Sequence, residues 1–138
     1  MSDSNCIFCK LASGEFGSAT IYEDDLFRVI LDIAPAAKGH ALLLPKRHVS
    51  NIFELDGEEE TKALSVVKKI CTALTKTLNC DGINVLQNNG AAAGQSVFHY
   101  HMHMIPRYDN DQVNIPWTPL SYADGEADAV AATIKANL

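Results

Sequence analysis

His99-Tyr100-His101-Met102-His103-Met104-Ile105 sets three imidazoles on alternate positions with apolar or aromatic residues between them. Successive side chains of an extended strand point to opposite faces, so the spacing predicts one strand with His99, His101 and His103 on a shared face. Tyr100, Met102 and Met104 then make the opposite face, packed on a core. At a rise of about 3.3 Å per residue the three rings fall within about 13 Å of backbone. They are three of the chain's five histidines. Near neutral pH an imidazole can attack, carry a proton or bind a metal, so such a row reads as a site. An edge strand whose polar face happens to be rich in histidine is the simpler alternative. The segment before it argues otherwise: Asn88-Asn89-Gly90-Ala91-Ala92-Ala93-Gly94-Gln95-Ser96 is a loop of small residues. Loops of that kind bring backbone N–H groups close to an anion. Nucleophilic side chains beside an anion cradle point to phosphoryl chemistry.

The composition narrows the class. With 138 residues, 47% of them hydrophobic, the chain is expected to form one domain with its own core. No apolar run approaches the roughly 18 residues of a membrane span. Met1-Ser2-Asp3-Ser4-Asn5 has neither the basic nor the apolar region of a secretion signal, so a cytoplasmic protein is expected. There the four cysteines are thiols or metal ligands rather than disulfides. A net charge of -6 argues against nucleic acid or an anionic membrane as partner, and leaves room for a small phosphate ester held by local N–H groups.

Hydropathy patterning predicts an α+β domain on an antiparallel sheet, with no internal repeat. Phe27–Leu31 and Ala41–Leu44 read as strands, with Lys38-Gly39 in the position of a hairpin connection. After Asp56, the spacing of Leu64, Val67, Cys71, Leu74 and Leu78 predicts a helix with one apolar stripe. Asp56 and Glu59 resemble a capping pair, and Glu58, Glu59 and Glu60 suit the positive end of the helix dipole. Asp81-Gly82 closes that helix, and Ile83–Gln87 precedes the histidine strand. From Asp109 the pattern weakens, with Pro116 and Pro119 forcing irregular backbone. Asp124 then stands where it would cap a short C-terminal helix through Ala127, Val130, Ala131 and Ile134.

Cys6 and Cys9 form a Cys-x-x-Cys pair. A redox role has little support, because no strand pattern precedes the pair and no clear helix pattern follows it. A zinc site needs two further ligands. Cys71, in the helix stripe, and Cys80, just beyond it, read as ordinary thiols.

The His-x-His-x-His run after Gly94-Gln95-Ser96 resembles the histidine-triad (HIT) superfamily of nucleotide hydrolases and transferases. Cys6-Ile7-Phe8-Cys9-Lys10, Ile21-Tyr22-Glu23-Asp24-Asp25, Asp32-Ile33-Ala34-Pro35, Gly39-His40 and Leu44-Pro45-Lys46-Arg47-His48 resemble its N-terminal half, in order. The likeness is strongest to the histidine-triad nucleotide-binding branch and its zinc-containing subgroup. It implies a five-stranded antiparallel sheet with one main crossover helix, and two subunits pairing into a continuous sheet. It covers residues 1–108, with 109–138 as a divergent tail. Lys38 departs from the family, which often has proline before Gly-His.

The same resemblance assigns roles. His101 is the implied nucleophile, forming a nucleotidyl-histidine at an α-phosphorus, with its tautomer held by a backbone carbonyl such as that of His99. His40 orients it. Ser96 and the N–H groups around Gly94 and Gln95 bind phosphoryl oxygens, Asn88 reaches the phosphate, and His103 donates to the same oxygens or the leaving group. Asp32 accepts from both ribose hydroxyls. Ile7, Phe8, Phe16, Ile30 and Ile33 line an apolar slot for a purine. Cys6, Cys9, His48 and His99 are the implied ligands of a structural zinc. A homodimer acting on purine nucleoside phosphoramidates or aminoacyl adenylates is the implied protein. Two alternatives stay open: a dinucleoside polyphosphate hydrolase, and a zinc-stabilised nucleotide-binding module with little turnover.

Overall fold

A computed structural model describes residues 3–138; Met1 and Ser2, part of the segment read for a secretion signal, lie outside them. The short apolar runs become β1 (Thr20–Glu23), β2 (Phe27–Leu31), β3 (Ala41–Pro45), β4 (Gly82–Leu86) and β5 (Met102–Arg107). They form one sheet in the order β1-β2-β3-β5-β4. Every neighbouring pair is antiparallel. The central β3 is buried along its whole length, which is why Ala41-Leu42-Leu43-Leu44 is continuously apolar rather than alternating.

Each face of the sheet has its own core. Phe27, Val29, Ala41, Leu43 and Met104 pack under helix α2 (Gly57–Leu78) through Ala63, Val66, Val67, Ile70 and Leu74. Ile30, Leu42 and Leu44 point the other way, against Ala12, Phe8 and Leu11 of helix α1 (Ile7–Ser13). Because His103 pairs with Leu42 across the ladder and Met104 with Ala41, His103 lies on the α1 side and Met104 on the α2 side. Among the described residues no helix is long and apolar enough to cross a membrane.

Several expectations need correction. The α2 stripe runs through Val66 and Ile70, while Leu64 is 68% exposed. The two stripes lie side by side on the helix, and periodicity alone could not say which one faces the sheet. Asp56 is the N-cap of α2 but makes no side-chain capping bond. It and Glu59 instead hold Arg47, at 2.5 and 3.2 Å. β2 and β3 do pair, but across the long segment 32–40 rather than a tight turn. Gly39 there has φ +90 and passes so near α2 that a Cβ would meet Leu78 Cδ1 at 2.2 Å. The C-terminal helix α3 (Glu126–Lys135) starts from Gly125, not Asp124, and buries no residue.

Candidate functional site

The strand of β5 begins only at Met102, so His99 and His101 belong to the approach that leads into it. The three rings therefore divide between two places. His99 is fully buried and turns toward the N-terminal cysteines, whereas His101 and His103 stay on the α1 face with ring centroids 4.9 Å apart. Tyr100 is buried, and its N–H donates to Val49 O at 2.6 Å, which fixes the approach segment between the two directions.

The first place is a cluster of Cys6, Cys9, His48 and His99, whose ligating atoms all lie within 4.8 Å of one another. Cys6 is the N-cap of α1 and Cys9 lies in its first turn, a helix absent from the sequence expectation because only seven residues form it. The Nδ1 of His99 lies 3.5 Å from both Cys6 and Cys9 Sγ, and His48 Nδ1 lies 3.3 Å from Cys9 Sγ. His99 Nε2–H donates to Pro45 O at 2.9 Å, so its Nδ1 presents a lone pair to the two sulfurs. This is the outer-shell bond that prepares a metal-ligating histidine. Burial pushes His99 down to about 4, so the ring is neutral at physiological pH. Two thiols and two imidazoles gathered at one place match the donor set of structural zinc.

The second place is a cavity of about 630 Å³ between α1, the segment that leads from α1 into β1, the end of β2 and the start of β5. Ile7, Phe8, Phe16, Ile30 and Ile33 line it, together with Asp32, Ser96, His101 and His103. Sequence reading missed Leu11, Gly17, Ser18, Ala19, Leu31, Ala34 and Leu42 in the same wall. The i, i+1, i+4 spacing of Ile7, Phe8 and Leu11 was the available signal. Phe8 sets its ring edge on His101, with centroids 4.9 Å apart.

Hydrogen bonds specify how these imidazoles are protonated. His101 Nδ1–H donates to His99 O at 2.7 Å, leaving Nε2 with a free lone pair at the cavity. Burial lowers the pKa of His101 and so keeps that lone pair available. His40, expected as a candidate to orient His101, instead lies behind the cavity wall with Nε2 2.9 Å from His103 Nδ1, while the His99 carbonyl orients His101. His40 Nε2 is also 3.7 Å from Asp32 Oδ2. Burial depresses both rings, His103 to about 4. Asp32 Oδ1 accepts from Ala34 N–H at 2.8 Å, which orients the carboxylate.

The loop before the histidines departs from expectation. Gly94 N–H donates to Ala91 O and Gln95 N–H to Gly90 O, so neither amide is free for an anion. Gln95 is buried and ties the loop together, accepting from Gly90 N–H and donating to Ser50 O and Val97 O. Asn88 reaches Gly94 O at 3.5 Å and stands outside the cavity wall. Ser96 does line the cavity, and among the described residues neither its N–H nor its hydroxyl has a partner.

The HIT domain model matches residues 13–110. The chain belongs to the HIT family. It is 48% identical over 104 residues to Protein hit of Bacillus subtilis, covering 75% of this chain and 72% of that one. It is 36% identical over 135 residues to adenosine 5′-monophosphoramidase hnt1 of Schizosaccharomyces pombe, covering 97% and 98%. Its structure superposes with a TM-score of 0.90 on a HIT family protein from Bacillus anthracis, at 40% identity and 99% coverage of both chains. A Zn-bound histidine triad family protein from Mycobacterium smegmatis matches with a TM-score of 0.75 at 34% identity, covering 97% and 98%. The chain therefore has the HIT fold and counts an adenosine 5′-monophosphoramidase among its relatives.

Proposed function

We propose that this HIT protein hydrolyses purine nucleoside phosphoramidates through a nucleotidyl-histidine intermediate on His101. The observation that carries the reading is the 2.7 Å bond from His101 Nδ1–H to His99 O, which leaves Nε2 as an uncharged nucleophile facing the cavity. Attack by Nε2 on the α-phosphorus forms the N–P bond as the P–N bond to the amine breaks. His103, whose Nδ1 accepts from its neighbour, donates a hydrogen bond from Nε2 to the leaving nitrogen, and the departing amine takes its proton from a water molecule. The hydroxide that remains attacks the phosphohistidine and restores the ring. Ser96 holds the phosphoryl oxygens as charge builds on them. Asp32 Oδ2 accepts from the ribose, and Ile7, Phe8, Phe16, Ile30 and Ile33 take the base. The yeast relative's activity as an adenosine 5′-monophosphoramidase supports an amine as leaving group.

Cys6, Cys9, His48 and His99 would hold one structural zinc per chain, supported by their donor set and by the Zn-bound mycobacterial neighbour. Zinc at that place supplies folding free energy and no chemistry at phosphorus. A homodimer fits the apolar side chains left uncovered on the surface, among them Phe53, Leu64 and Val85. Sedimentation equilibrium showing only a 15.0 kDa species at micromolar concentration would exclude it.

Purified protein assayed against adenosine phosphoramidates and dinucleoside polyphosphates tests the substrate. Release of AMP and free amine, with far slower cleavage of the polyphosphates, is the expected result. Preference for the polyphosphates would replace the reading, and binding of AMP without turnover of either class would make the protein a nucleotide-binding module.

A further inference from the structure

We propose that the main-chain N–H of Ala36 is a positioning group that decides which nitrogen of His40 and, through it, of His103 carries the proton. It thereby keeps His103 Nε2 a hydrogen-bond donor toward the cavity and refuses a metal between Asp32, His40 and His103. The proposal rests on the reading of His103 as hydrogen-bond donor to the leaving group.

The contact between His40 Nε2 and His103 Nδ1, at 2.9 Å, has no direction of its own. Either neutral ring could donate, and the choice fixes whether His103 has an N–H to offer at its cavity side. Ala36 removes the ambiguity. Its N–H points at His40 Nδ1 at 3.0 Å, and an amide N–H can only donate. Nδ1 of His40 is therefore the acceptor, and the neutral ring carries its proton on Nε2. His103 Nδ1 must then accept, which leaves the His103 proton on Nε2. Asp32 does not compete: Oδ2 stands 3.7 Å from His40 Nε2, and Oδ1 already accepts from Ala34.

The backbone holds this amide firmly. Asp32 N–H donates to His40 O at 2.8 Å and His40 N–H to Ala37 O at 3.0 Å, closing the segment on itself. Gly39 seats the segment against Leu78 with no room for a side chain.

The same bond has a second consequence. Asp32, His40 and His103 bring three donor atoms within 4.8 Å, two imidazoles and a carboxylate, a set that suits divalent transition metals. A metal on His40 Nε2 would need a lone pair there while Nδ1 keeps its own lone pair toward Ala36. That ring has no proton left and is an imidazolate anion, so the metal must either break the Ala36 bond or be refused.

Long-range proton–nitrogen correlation spectra of histidine-labelled, zinc-loaded protein read the tautomers directly, with His40 assigned by a His40→Asn variant. In the wild type, His40 and His103 are both expected to be protonated at Nε2. Ala36→Pro deletes the N–H. His40 should then populate both tautomers, kcat on an adenosine phosphoramidate should fall about tenfold or more with KM moving less than about twofold, and zinc titration should find one more equivalent per chain than the wild type. Ala36→Gly, which keeps the N–H, should restore the single tautomer and the wild-type zinc count. A wild-type His40 protonated at Nδ1 overturns the proposal, as does an Ala36→Pro protein with unchanged tautomer, kcat and zinc count. Should Ala36→Pro fail to fold, the wild-type spectrum decides alone. Tautomer and zinc count are measured without turnover, so a protein inactive on phosphoramidates would refute the substrate and leave this proposal standing or falling on its own evidence.

Discussion

Two histidine clusters lie on either side of His101, and each could be drawn as a metal site. Cys6, Cys9, His48 and His99 form one; Asp32, His40 and His103 form the other. Residue type and proximity do not separate them. Their backbone partners do. In the first, a carbonyl accepts the outer N–H of His99 and turns a lone pair inward. In the second, an amide donates to the outer nitrogen of His40 and turns a proton inward. A carbonyl behind an imidazole makes a ligand; an N–H behind it makes a donor. His101, backed by the carbonyl of His99, follows the first pattern but points its lone pair at the cavity rather than at thiols.

The largest expected effect comes from the ring between the clusters. On the proposed reading His101 makes the bond itself, so His101→Ala should lower turnover on the order of a thousandfold or more while nucleotide binding largely survives. Single-turnover kinetics beside an AMP titration measure both. A mutant with a tenth of the wild-type rate would return His101 to a supporting role and leave the two clusters without a shared purpose.

Next in size is the metal-type cluster. Cys9→Ser should lose zinc and about 3 kcal/mol of stability, or roughly 10 °C in Tm, because closed metal coordination contributes folding free energy. Elemental analysis and calorimetry check it. Unchanged stability in metal-free protein would make the first cluster no more a metal site than the second. Phe8 lies between the two cysteines in sequence and against His101 in space, so metal loss should also loosen nucleotide binding.

The second cluster is probed more gently through Asp32. If its carboxylate accepts from the ribose, charged hydrogen bonds of roughly 1.5 to 3 kcal/mol imply about ten- to a hundredfold discrimination against a 2′-deoxy substrate. Asp32→Ala should erase most of that preference and leave the covalent step intact. Equal kcat/KM for adenosine and deoxyadenosine phosphoramidates in the wild type would remove Asp32 from sugar recognition.

What the sequence disclosed tracks the range of the interaction. β2 and β3 are short apolar runs, interrupted only by Arg28, and were legible as such. The four members of the cysteine cluster were legible only through family likeness, because His48 and His99 come to the pair from 39 and more residues away. Helix α1 was missed since a seven-residue helix shows barely two turns of periodicity. Asp56 and Glu59 fit a capping pattern, but Arg47, distant in sequence, claims both carboxylates. Gly94 and Gln95 looked like free amides because sequence does not show where a loop spends its own N–H groups, and here carbonyls of Ala91 and Gly90 take them. The opposite polarity of the two histidine clusters was likewise invisible, being set by single backbone groups at Pro45 and Ala36.

The smallest expected effect concerns acid. His103 is buried as a neutral ring at about 4, with His101, His40 and Asp32 around it, while an unfolded histidine titrates near 6.5. Above the unfolded value both states are uncharged and the group contributes nothing to the pH dependence. As pH falls below about 6.5 the unfolded chain takes up a proton that the native ring refuses, so stability is lost progressively down to about 4 and then levels off. The metal-type cluster also weakens in acid, because its thiolates and imidazoles protonate. The two contributions are separated by difference. Wild type and His103→Asn are unfolded in urea at pH 7 and at pH 5, with bound zinc measured in every sample. The variant lacks the titrating ring, so its loss between the two pH values should be smaller than the wild type's by on the order of 1 kcal/mol. Both proteins should shed zinc equally, since Cys6, Cys9, His48 and His99 are intact in each. An identical loss in the two proteins would mean that His103 takes up its proton in the native state as readily as in the unfolded chain. A neutral donor relay could then not hold at the pH where the enzyme works.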